Sequence, residues 1–320
     1  MDIKDSISYF IKQNRKQCTG VRRILNVPDY IFCALAFKCG CRDYFCGKIY
    51  EKTFGQRQGY ITQFRKDALA KKYNDREMAQ RVDNKASFDA MFTKYLHRDW
   101  LDVDKSTMEE FEAFAGRHEE FFVKAVNTSG GNSIWKCNPA KSKKTLKQLR
   151  SKMKGCILEE PIIQHSRMSS LHPGTVNTIR VNTVWSGGEP HVFAAVLRMG
   201  SKGCVDNFHA GGGMGAEIDL ETGVVFTTAI NMENQRFIFH PVTGAQIVGF
   251  QVPNWDRVLA MVKEMASLVP QVRTIGWDVA VTEDGCCAVE GNSRCDFLIC
   301  QMTRNIGRYH ELKALLEEAR

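Results

Sequence analysis

The spacing of apolar and polar residues changes character along the chain. Residues 1–100 show a broken helical periodicity, which predicts a mainly helical region. From residue 176 onward, apolar residues alternate with polar ones or form short continuous runs, and this pattern predicts successive strands. Earlier strands are predicted at 120–126 and 155–163. Helices in blocks and strands in hairpins favour an α+β fold with antiparallel sheets over a Rossmann repeat.

Three helices are predicted from local signals. Thr107 with Glu110 forms a capping-box pattern, which marks a helix start. Asn254 is the expected N-cap of a later helix. That helix places five apolar residues on one face: Trp255, Val258, Leu259, Val262 and Ala266. The basic stretch at 141–155 has helical periodicity, so we interpret its charges as a solvated face.

The C-terminal stretch GWDVAVTEDGCCAVEGNSRCDF, residues 276–297, places polar side chains within a predicted β-hairpin. Burying a carboxylate is unfavourable unless a cation or hydrogen-bond donors compensate for its charge. Asp278, Glu290 and Asn292 would together suit a hard divalent cation, which prefers oxygen ligands. The alternative is that these side chains face solvent on an edge hairpin.

The hairpin turn decides between these two interpretations. A two-residue loop, Asp284-Gly285, would pair Asp278 with Gly291 and put the carboxylates on opposite faces. A three-residue loop, Glu283-Asp284-Gly285, would pair Thr282 with Cys286 and Asp278 with Glu290. We predict the three-residue loop, because of these two registers only it brings the three polar side chains to one face.

Composition is that of an ordinary globular protein. The 320 residues are 43% hydrophobic and 25% charged, and no segment approaches the roughly 20 apolar residues that span a bilayer. The N-terminus lacks the apolar core of a secretory signal, so we expect a cytoplasmic protein without a membrane partner. Twelve cysteines fit that compartment as reduced thiols. Four of them lie close in sequence, and we favour buried thiols over a zinc site because their spacing lacks paired knuckles: Cys33, Cys39, Cys41 and Cys46.

Charge is unevenly distributed along the chain. Residues 1–160 hold 31 Lys and Arg against 20 Asp and Glu, whereas residues 161–320 hold 13 against 16. A basic half is compatible with a nucleic acid or with a pocket for an anionic nucleotide. No aromatic residues interleave with the basic stretch at 141–155, so a base-stacking surface is not indicated.

Several basic side chains stand where they can meet phosphate. Lys124 ends a predicted strand just before the Gly-rich turn TSGGNS at 128–133, whose N–H groups can hold phosphate oxygens. Arg180 and Arg198 interrupt neighbouring apolar strands, where each needs an anion if buried. The competing interpretations are a lysine that extends to solvent and arginines that face outward.

These elements occur in a specific order, which ends with the tract DNFHAGGG at 206–213 and the hairpin. The ordered set resembles the ATP-grasp superfamily, and most closely its sugar-transfer-associated branch, over about residues 83–300. The resemblance implies two α+β lobes with antiparallel sheets that grip ATP. It implies a helical region at 1–82, an N-terminal lobe at 83–165 and a C-terminal lobe at 166–320.

The resemblance also assigns roles to individual residues. Lys85 and Lys124 match the lysines that contact phosphates, and the turn with Ser129, Gly130 and Gly131 matches the mobile phosphate loop. Glu159, Glu160 and Ile162 match family positions that contact adenine and ribose. Arg180, Arg198 and Asn207 match positions that face the γ-phosphate and the acceptor. Asp278, Glu290 and Asn292 match the ligands of Mg²⁺. Residues 293–296, Ser-Arg-Cys-Asp, differ from the Pro or Gly that relatives often carry there, which bears on the acceptor pocket.

The implied activity is ATP- and Mg²⁺-dependent ligation of a small-molecule carboxylate to an amine through an acyl-phosphate. A kinase that stops after phosphoryl transfer is the main alternative. A non-catalytic or nucleic-acid-binding protein is the third, and the metal-binding trio argues against it.

Overall fold

The N-terminal region is helical, as the apolar periodicity predicts. The computed structural model describes residues 3–127, 134–201 and 212–318. Before the first strand lie α1 (Ile3–Gln17), α2 (Arg22–Phe37), α3 (Cys41–Cys46), a 3-10 turn (Ile49–Glu51), α4 (Phe54–Gln58), α5 (Gln63–Tyr73), α6 (Arg76–Asp83), α7 (Lys85–Met91) and α8 (Thr93–Leu96).

A small antiparallel sheet follows. In the described ranges its strand order is β1-β4-β2-β3. Its elements are β1 (Trp100–Asp102), α9 (Met108–Arg117), β2 (Phe121–Ala125), β3 (Ile134–Cys137), α10 (Leu146–Lys152) and β4 (Cys156–Glu159). The predicted capping box at Thr107 is confirmed, since its hydroxyl accepts from the Glu110 N–H at 3.2 Å while Glu110 accepts from the Thr107 N–H at 2.8 Å. The two helices pack on one face of this sheet and enclose its core.

The remaining strands build a larger antiparallel sheet, whose order in the described ranges is β11-β10-β5-β6-β7-β8-β9. Its elements are α11 (Ser166–Leu171), β5 (Thr178–Ser186), β6 (Glu189–Met199), β7 (Met214–Glu217), β8 (Ala229–Asn231), β9 (Arg236–Phe237), α12 (Trp255–Leu268), β10 (Thr274–Thr282), β11 (Gly285–Asn292), α13 (Leu298–Arg304) and α14 (Tyr309–Glu317).

The two faces of the large sheet have different partners. Helix α12 covers one face, where Val258 and Val262 pack in one core with Val181 and Trp277. Helices α13 and α14 cover part of the opposite face. Because side chains alternate across a strand, Arg180 and Asp278 point away from α12 and lie on this second face.

The predicted pairing of Asp278 with Glu290 is confirmed, but the predicted loop is wrong. The turn contains only Glu283 and Asp284, because Thr282 pairs directly with Gly285. A β-bulge between Asp278 and Val279 then shifts the register by one residue. A bulge opposes two residues to one, so it restores the face that a three-residue loop would have provided.

Asn254 precedes α12 as predicted, yet it does not cap the helix. Its backbone is left-handed, with φ of 55°, and its side chain makes no capping bond. The amide instead donates to the carbonyl oxygens of Thr282 at 3.0 Å and Gly285 at 3.1 Å. Asn254 therefore anchors the hairpin turn to the start of α12.

The four clustered cysteines are buried free thiols. Two of them contact tyrosine hydroxyls, Cys41 with Tyr30 at 3.0 Å and Cys46 with Tyr9 at 3.7 Å. Burial raises the pKa of Cys33 and of Cys46 to about 11 in each case, so both thiols remain protonated at neutral pH. Within the described ranges no three His, Cys, Asp or Glu side chains are grouped to hold a metal ion.

Candidate active site

The centre of the candidate site is a buried carboxylate held by two arginines. Arg180 donates from Nε and Nη2 to the two oxygens of Asp278 at 2.6 and 2.8 Å. Arg198 donates from Nη1 to both oxygens at 3.1 Å. Burial alone would raise the pKa of Asp278, but the two guanidinium groups outweigh it and hold that pKa well below its ordinary value. Asp278 is therefore ionised.

Glu290 and Asn292 join this carboxylate on the same face of the hairpin. Glu290 lies directly across from Asp278, and Asn292 donates from Nδ2 to Glu290 Oε1 at 3.3 Å. Burial and the charge of Asp278 raise the pKa of Glu290. The structure thus brings together two carboxyl groups and one amide, a set of oxygen donors that fits a divalent cation.

Glycines at two positions make room for this arrangement. A side chain at Gly291 would place its Cβ 2.9 Å from Phe88 and from Val82, so α6 and α7 can approach β11 only because this residue is glycine. A Cβ at Gly276 would lie 3.2 Å from the side chains of Arg180 and Asn182. Packing therefore accounts for glycine at these two positions of the hairpin.

A second carboxylate, Glu159 of β4, is buried on the small sheet. Lys124 donates to its Oε2 at 2.6 Å and Arg98 Nε does so at 3.1 Å. Burial would raise the pKa of Glu159, but Arg98 and Lys124 outweigh it and lower that pKa. Arg98 also donates to the carbonyl oxygen of Ala288 on β11, so it links the two sheets.

Lys85 is the first residue of α7, where Asn84 caps the helix by accepting from the Ser87 N–H at 2.9 Å. Burial lowers the pKa of Lys85, while the negative charge of Glu290 counteracts that shift. The charge of Lys124 also lowers the pKa of Lys85, and the charge of Glu159 raises it. Lys85 therefore lies near Glu290 of the hairpin, and Lys124 lies near Lys85 and against Glu159.

Of the residues predicted to contact adenine and ribose, Glu160 and Ile162 do not join this cluster of charged side chains in the described part of the chain. Glu160 accepts from the backbone N–H of Asp99 at 3.0 Å, and Ile162 is half-buried in the segment that follows β4. The carboxylate of Glu159 is only 3% exposed and is directed at Arg98 and Lys124. Four predicted residues lie outside the described part of the chain: Ser129, Gly130, Gly131 and Asn207.

Sequence reasoning missed Arg98 and Asp89. Arg98 stands in the polar segment HRD between a helix and a strand, and no local pattern links it to Glu159 or Ala288, 61 and 190 residues away. Asp89 is buried on α7, and burial followed by the charge of Glu159 raises its pKa to about 8. Only the fold brings these groups together.

Residues of the N-terminal helical region form hydrogen bonds with the segment that follows the hairpin. Asp83 accepts from the N–H and hydroxyl of Ser293 at 2.7 Å each, and Arg42 donates to Asp296 at 3.3 Å. Asn74 donates to the Ser293 carbonyl oxygen at 2.9 Å. The residues that depart from the family pattern, 293–296, are therefore held by the N-terminal helices.

The α+β architecture, with a helical N-terminal region and two antiparallel sheets, is that of the ATP-grasp class. The model of the sugar-transfer associated ATP-grasp family matches residues 64–316, and the chain belongs to this family. A comparison with curated protein sequences gives no match.

Solved structures with a similar fold include the ATP-grasp ligase PsnB with a minimal precursor, at a TM-score of 0.48 and 15% identity, covering 77% of this chain and 64% of that chain. D-alanyl-alanine synthetase A from Vibrio cholerae gives 0.42 and 12%, covering 74% of this chain and 64% of that chain. D-alanine–D-alanine ligase from Bacillus anthracis gives 0.45 and 10%, with 83% and 76% covered. The chain thus spans about two thirds of the length of PsnB.

Proposed function

We propose that the protein is an ATP- and Mg²⁺-dependent ligase that joins a small-molecule carboxylate to an amine. The observation that supports the proposal is a buried hairpin site of carboxyl groups and arginines, with one lysine near Glu290 and a second lysine near the first. These are the carboxyl pair of Asp278 and Glu290, the two arginines on Asp278, and the lysines Lys85 and Lys124.

In this proposal the lysines hold the phosphates of ATP. Lys124 is held against Glu159 by a single ammonium group, which can turn toward a phosphate oxygen while Arg98 continues to neutralise Glu159. The family resemblance assigns Ser129, Gly130 and Gly131 to the phosphates as well. The backbone and side chains of Glu160 and Ile162 contact adenine and ribose.

The hairpin would hold the metal ion through Asp278, Glu290 and Asn292. All three supply oxygen atoms from one face of β10 and β11, which is the chemistry that Mg²⁺ requires. Bound Mg²⁺ would neutralise charge on the phosphates during phosphoryl transfer. Asp278 also keeps Arg180 and Arg198 at fixed positions beside these ligands.

The two arginines would orient the reacting groups. An oxygen of the acceptor carboxylate attacks the γ-phosphorus, the bond to the β-phosphate oxygen breaks, and ADP leaves. Arg180 and Arg198, with Asn207, hold the acyl-phosphate. The amine then attacks the acyl carbon, loses a proton, and inorganic phosphate leaves as the C–O bond breaks. Fixed guanidinium groups suit two anions that must meet, a carboxylate and a phosphoryl group.

We place this reaction in the cytoplasm, where ATP is available and thiols stay reduced. All cysteines in the described ranges are unpaired, which agrees with that compartment. None of the described helices is long and apolar enough to cross a membrane.

The test is to trap the acyl-phosphate. Thermal shift with Mg-ATP and a carboxylate panel first selects an acceptor, and hydroxylamine then replaces the unknown amine. We expect a hydroxamate, with ADP and free phosphate in equal amounts. A stable product that carries the γ-phosphoryl group, without free phosphate, would overturn the ligase and establish a kinase.

Matched variants separate catalysis from contamination. Glu290→Gln removes one proposed metal ligand and should abolish hydroxamate formation. Glu221→Gln makes the same chemical change at an exposed position in a turn of the same lobe and should leave the yield unchanged.

A further inference from the structure

Helix α2 turns its apolar face toward solvent. Ile24, Ile31 and Leu35 are 73%, 54% and 80% exposed. Residues seven and eleven positions apart lie on one side of an α-helix, so the three form a continuous line. Val27 and Phe32 flank this line and are also exposed. We call these five residues the outer stripe.

The outer stripe continues onto a neighbouring helix. The ring of Phe54 on α4 lies 6.4 Å from that of Phe32, and its side chain is exposed as well. Scattered single apolar residues on a surface need no explanation, whereas a contiguous apolar patch marks an interaction site.

The opposite face of α2 carries polar side chains that are held by hydrogen bonds inside the protein. Asn26 is fully buried and donates from Nδ2 to Asn14 Oδ1 at 2.9 Å. The Tyr44 hydroxyl donates to Asp29 Oδ2 at 2.7 Å, and Arg57 Nη1 donates to Asp29 Oδ1 at 2.6 Å. The inner face of α2 thus combines these polar contacts with the buried side chains of Cys33 and Phe37, while the outer stripe remains exposed.

These hydrogen bonds fix the orientation of the helix. Rolling α2 to bury the outer stripe would break the contacts of Asn26 and Asp29, and it would leave Asn14, Tyr44 and Arg57 without them. Unpaired buried polar groups are costly, so the exposed stripe is a built feature of the fold.

The ends of the stripe are cationic. Arg22 and Arg23 begin α2 and Lys38 follows its last residue, all three exposed and without an ion pair in the described residues. Asp29 is the acid within the helix, and it is paired with Arg57. The whole region 1–82 carries 17 Lys and Arg against 8 Asp and Glu.

We propose that α2 docks the protein onto an anionic lipid surface, with the outer stripe in the interface and the flanking cations against lipid headgroups. An apolar stripe flanked by Lys and Arg is the pattern of helices that lie in the plane of a membrane interface. A second copy fits less well, because parallel or antiparallel pairing of α2 helices brings the same cations together. This proposal departs from the sequence-based expectation of no membrane partner, which considered only spanning segments.

The docking surface is joined to the hairpin lobe. Arg42 on α3 donates to Asp296, and Lys52 lies against Asn305 at the end of α13. The N-terminal helices therefore fix the position of the hairpin relative to a docked surface. The proposal does not depend on the ligase activity.

The test is flotation of the full chain with vesicles. The probe is phosphatidylcholine mixed with phosphatidylglycerol in a three-to-one ratio, compared with pure phosphatidylcholine. We expect flotation with the anionic vesicles, and loss of it at about 0.5 M salt, where screening is strong. The double variant Ile31→Glu/Leu35→Glu should bind at least about ten-fold more weakly.

Matched controls isolate the stripe. Val242→Glu/Leu268→Glu adds the same charges at exposed apolar positions outside it and should float like the wild type. Arg22→Gln/Lys38→Gln should lose about ten-fold, whereas Lys71→Gln/Lys72→Gln on α5 should lose much less. Circular dichroism checks that each variant is folded.

Light scattering after size exclusion decides the remaining case. A wild-type dimer that the stripe variant dissociates, with no vesicle binding by either, would assign the stripe to a second copy and overturn the proposal. Absence of anion-dependent flotation, or equal flotation by the stripe variant and its control, would also overturn it.

Discussion

The two sheets of the protein contain similar charge arrangements with different surroundings. On the large sheet, Asp278 lies between Arg180 and Arg198 with Glu290 beside it. On the small sheet, a buried carboxylate again lies between two cations and next to a second carboxyl group. That set is Glu159, Arg98, Lys124 and Asp89.

The neighbours of each set account for the difference in proposed role. The large-sheet carboxyls share their face with an amide, Asn292, and so offer several oxygen donors to a cation. In the small-sheet set, Asp89 Oδ2 has no hydrogen-bond partner among the described residues, and Arg98 donates to the backbone of β11. In the proposed roles, the same electrostatic motif would bind a metal ion on the large sheet, whereas on the small sheet it positions Lys124 and joins the two sheets.

Replacing Asp278 with Asn should have the largest effect. Two buried guanidinium groups would lose their anion, and removal of one partner from a buried ion pair costs about 3–5 kcal/mol. We expect that loss in the free energy of unfolding by urea denaturation, together with loss of Mg-ATP binding. Asp284→Asn, at the exposed turn of the same hairpin, should change neither. A loss below about 1 kcal/mol for Asp278→Asn would show that the arginines do not need this carboxylate.

Replacing Arg98 with Met should destabilise the fold through the small-sheet set. Arg98 is 2% exposed at its side chain and bonds both Glu159 and the Ala288 carbonyl oxygen. We expect the unfolding free energy to fall by about 3 kcal/mol, the lower end for a broken buried pair, since Lys124 still neutralises Glu159. Unchanged stability would contradict its role as the link between sheets.

Replacing Lys124 with Met should weaken ATP binding more than it lowers the stability of the fold. If its ammonium meets a phosphate, ATP affinity measured by calorimetry should weaken by about 1.5–3 kcal/mol, the range for charge-assisted hydrogen bonds. Stability should change less than in Arg98→Met, because Arg98 still compensates Glu159. Unchanged ATP affinity would make Lys124 a structural partner only.

Replacing Asp89 with Asn should alter the pH dependence of stability. Burial and Glu159 raise the pKa of Asp89 from 3.8 to about 8, so the unfolded chain ionises this group at lower pH than the folded chain. The group therefore favours folding at low pH, and its contribution is lost as pH rises from about 4 toward 8. We expect Asp89→Asn to remove a fall of about 2–3 kcal/mol between pH 5 and 7 in urea titrations. If the pH dependence of the unfolding free energy is the same in Asp89→Asn, Asp89 does not cause it.

The hairpin shows what the sequence can and cannot specify. The pairing of Asp278 with Glu290 could be predicted, because polar side chains at alternate positions lie on the same face of a strand. The predicted length of the turn is wrong, because Thr282, Glu283 and Gly285 are compatible with several loop lengths. A bulge further along the strand can restore the same pairing of Asp278 with Glu290. The orientation of α2 was equally hidden, since it depends on Asn14, Tyr44 and Arg57 from three other segments.

In the proposed mechanism, the hairpin carboxyls bind the metal ion that accompanies ATP. Calorimetric titration of ATP, with and without Mg²⁺, into wild type and Glu290→Gln tests it most directly. We predict that Mg²⁺ strengthens ATP binding to the wild type, and that Glu290→Gln binds ATP equally with and without the ion while keeping its unfolding free energy. An undiminished Mg²⁺ effect in Glu290→Gln would show that the hairpin does not hold the metal ion.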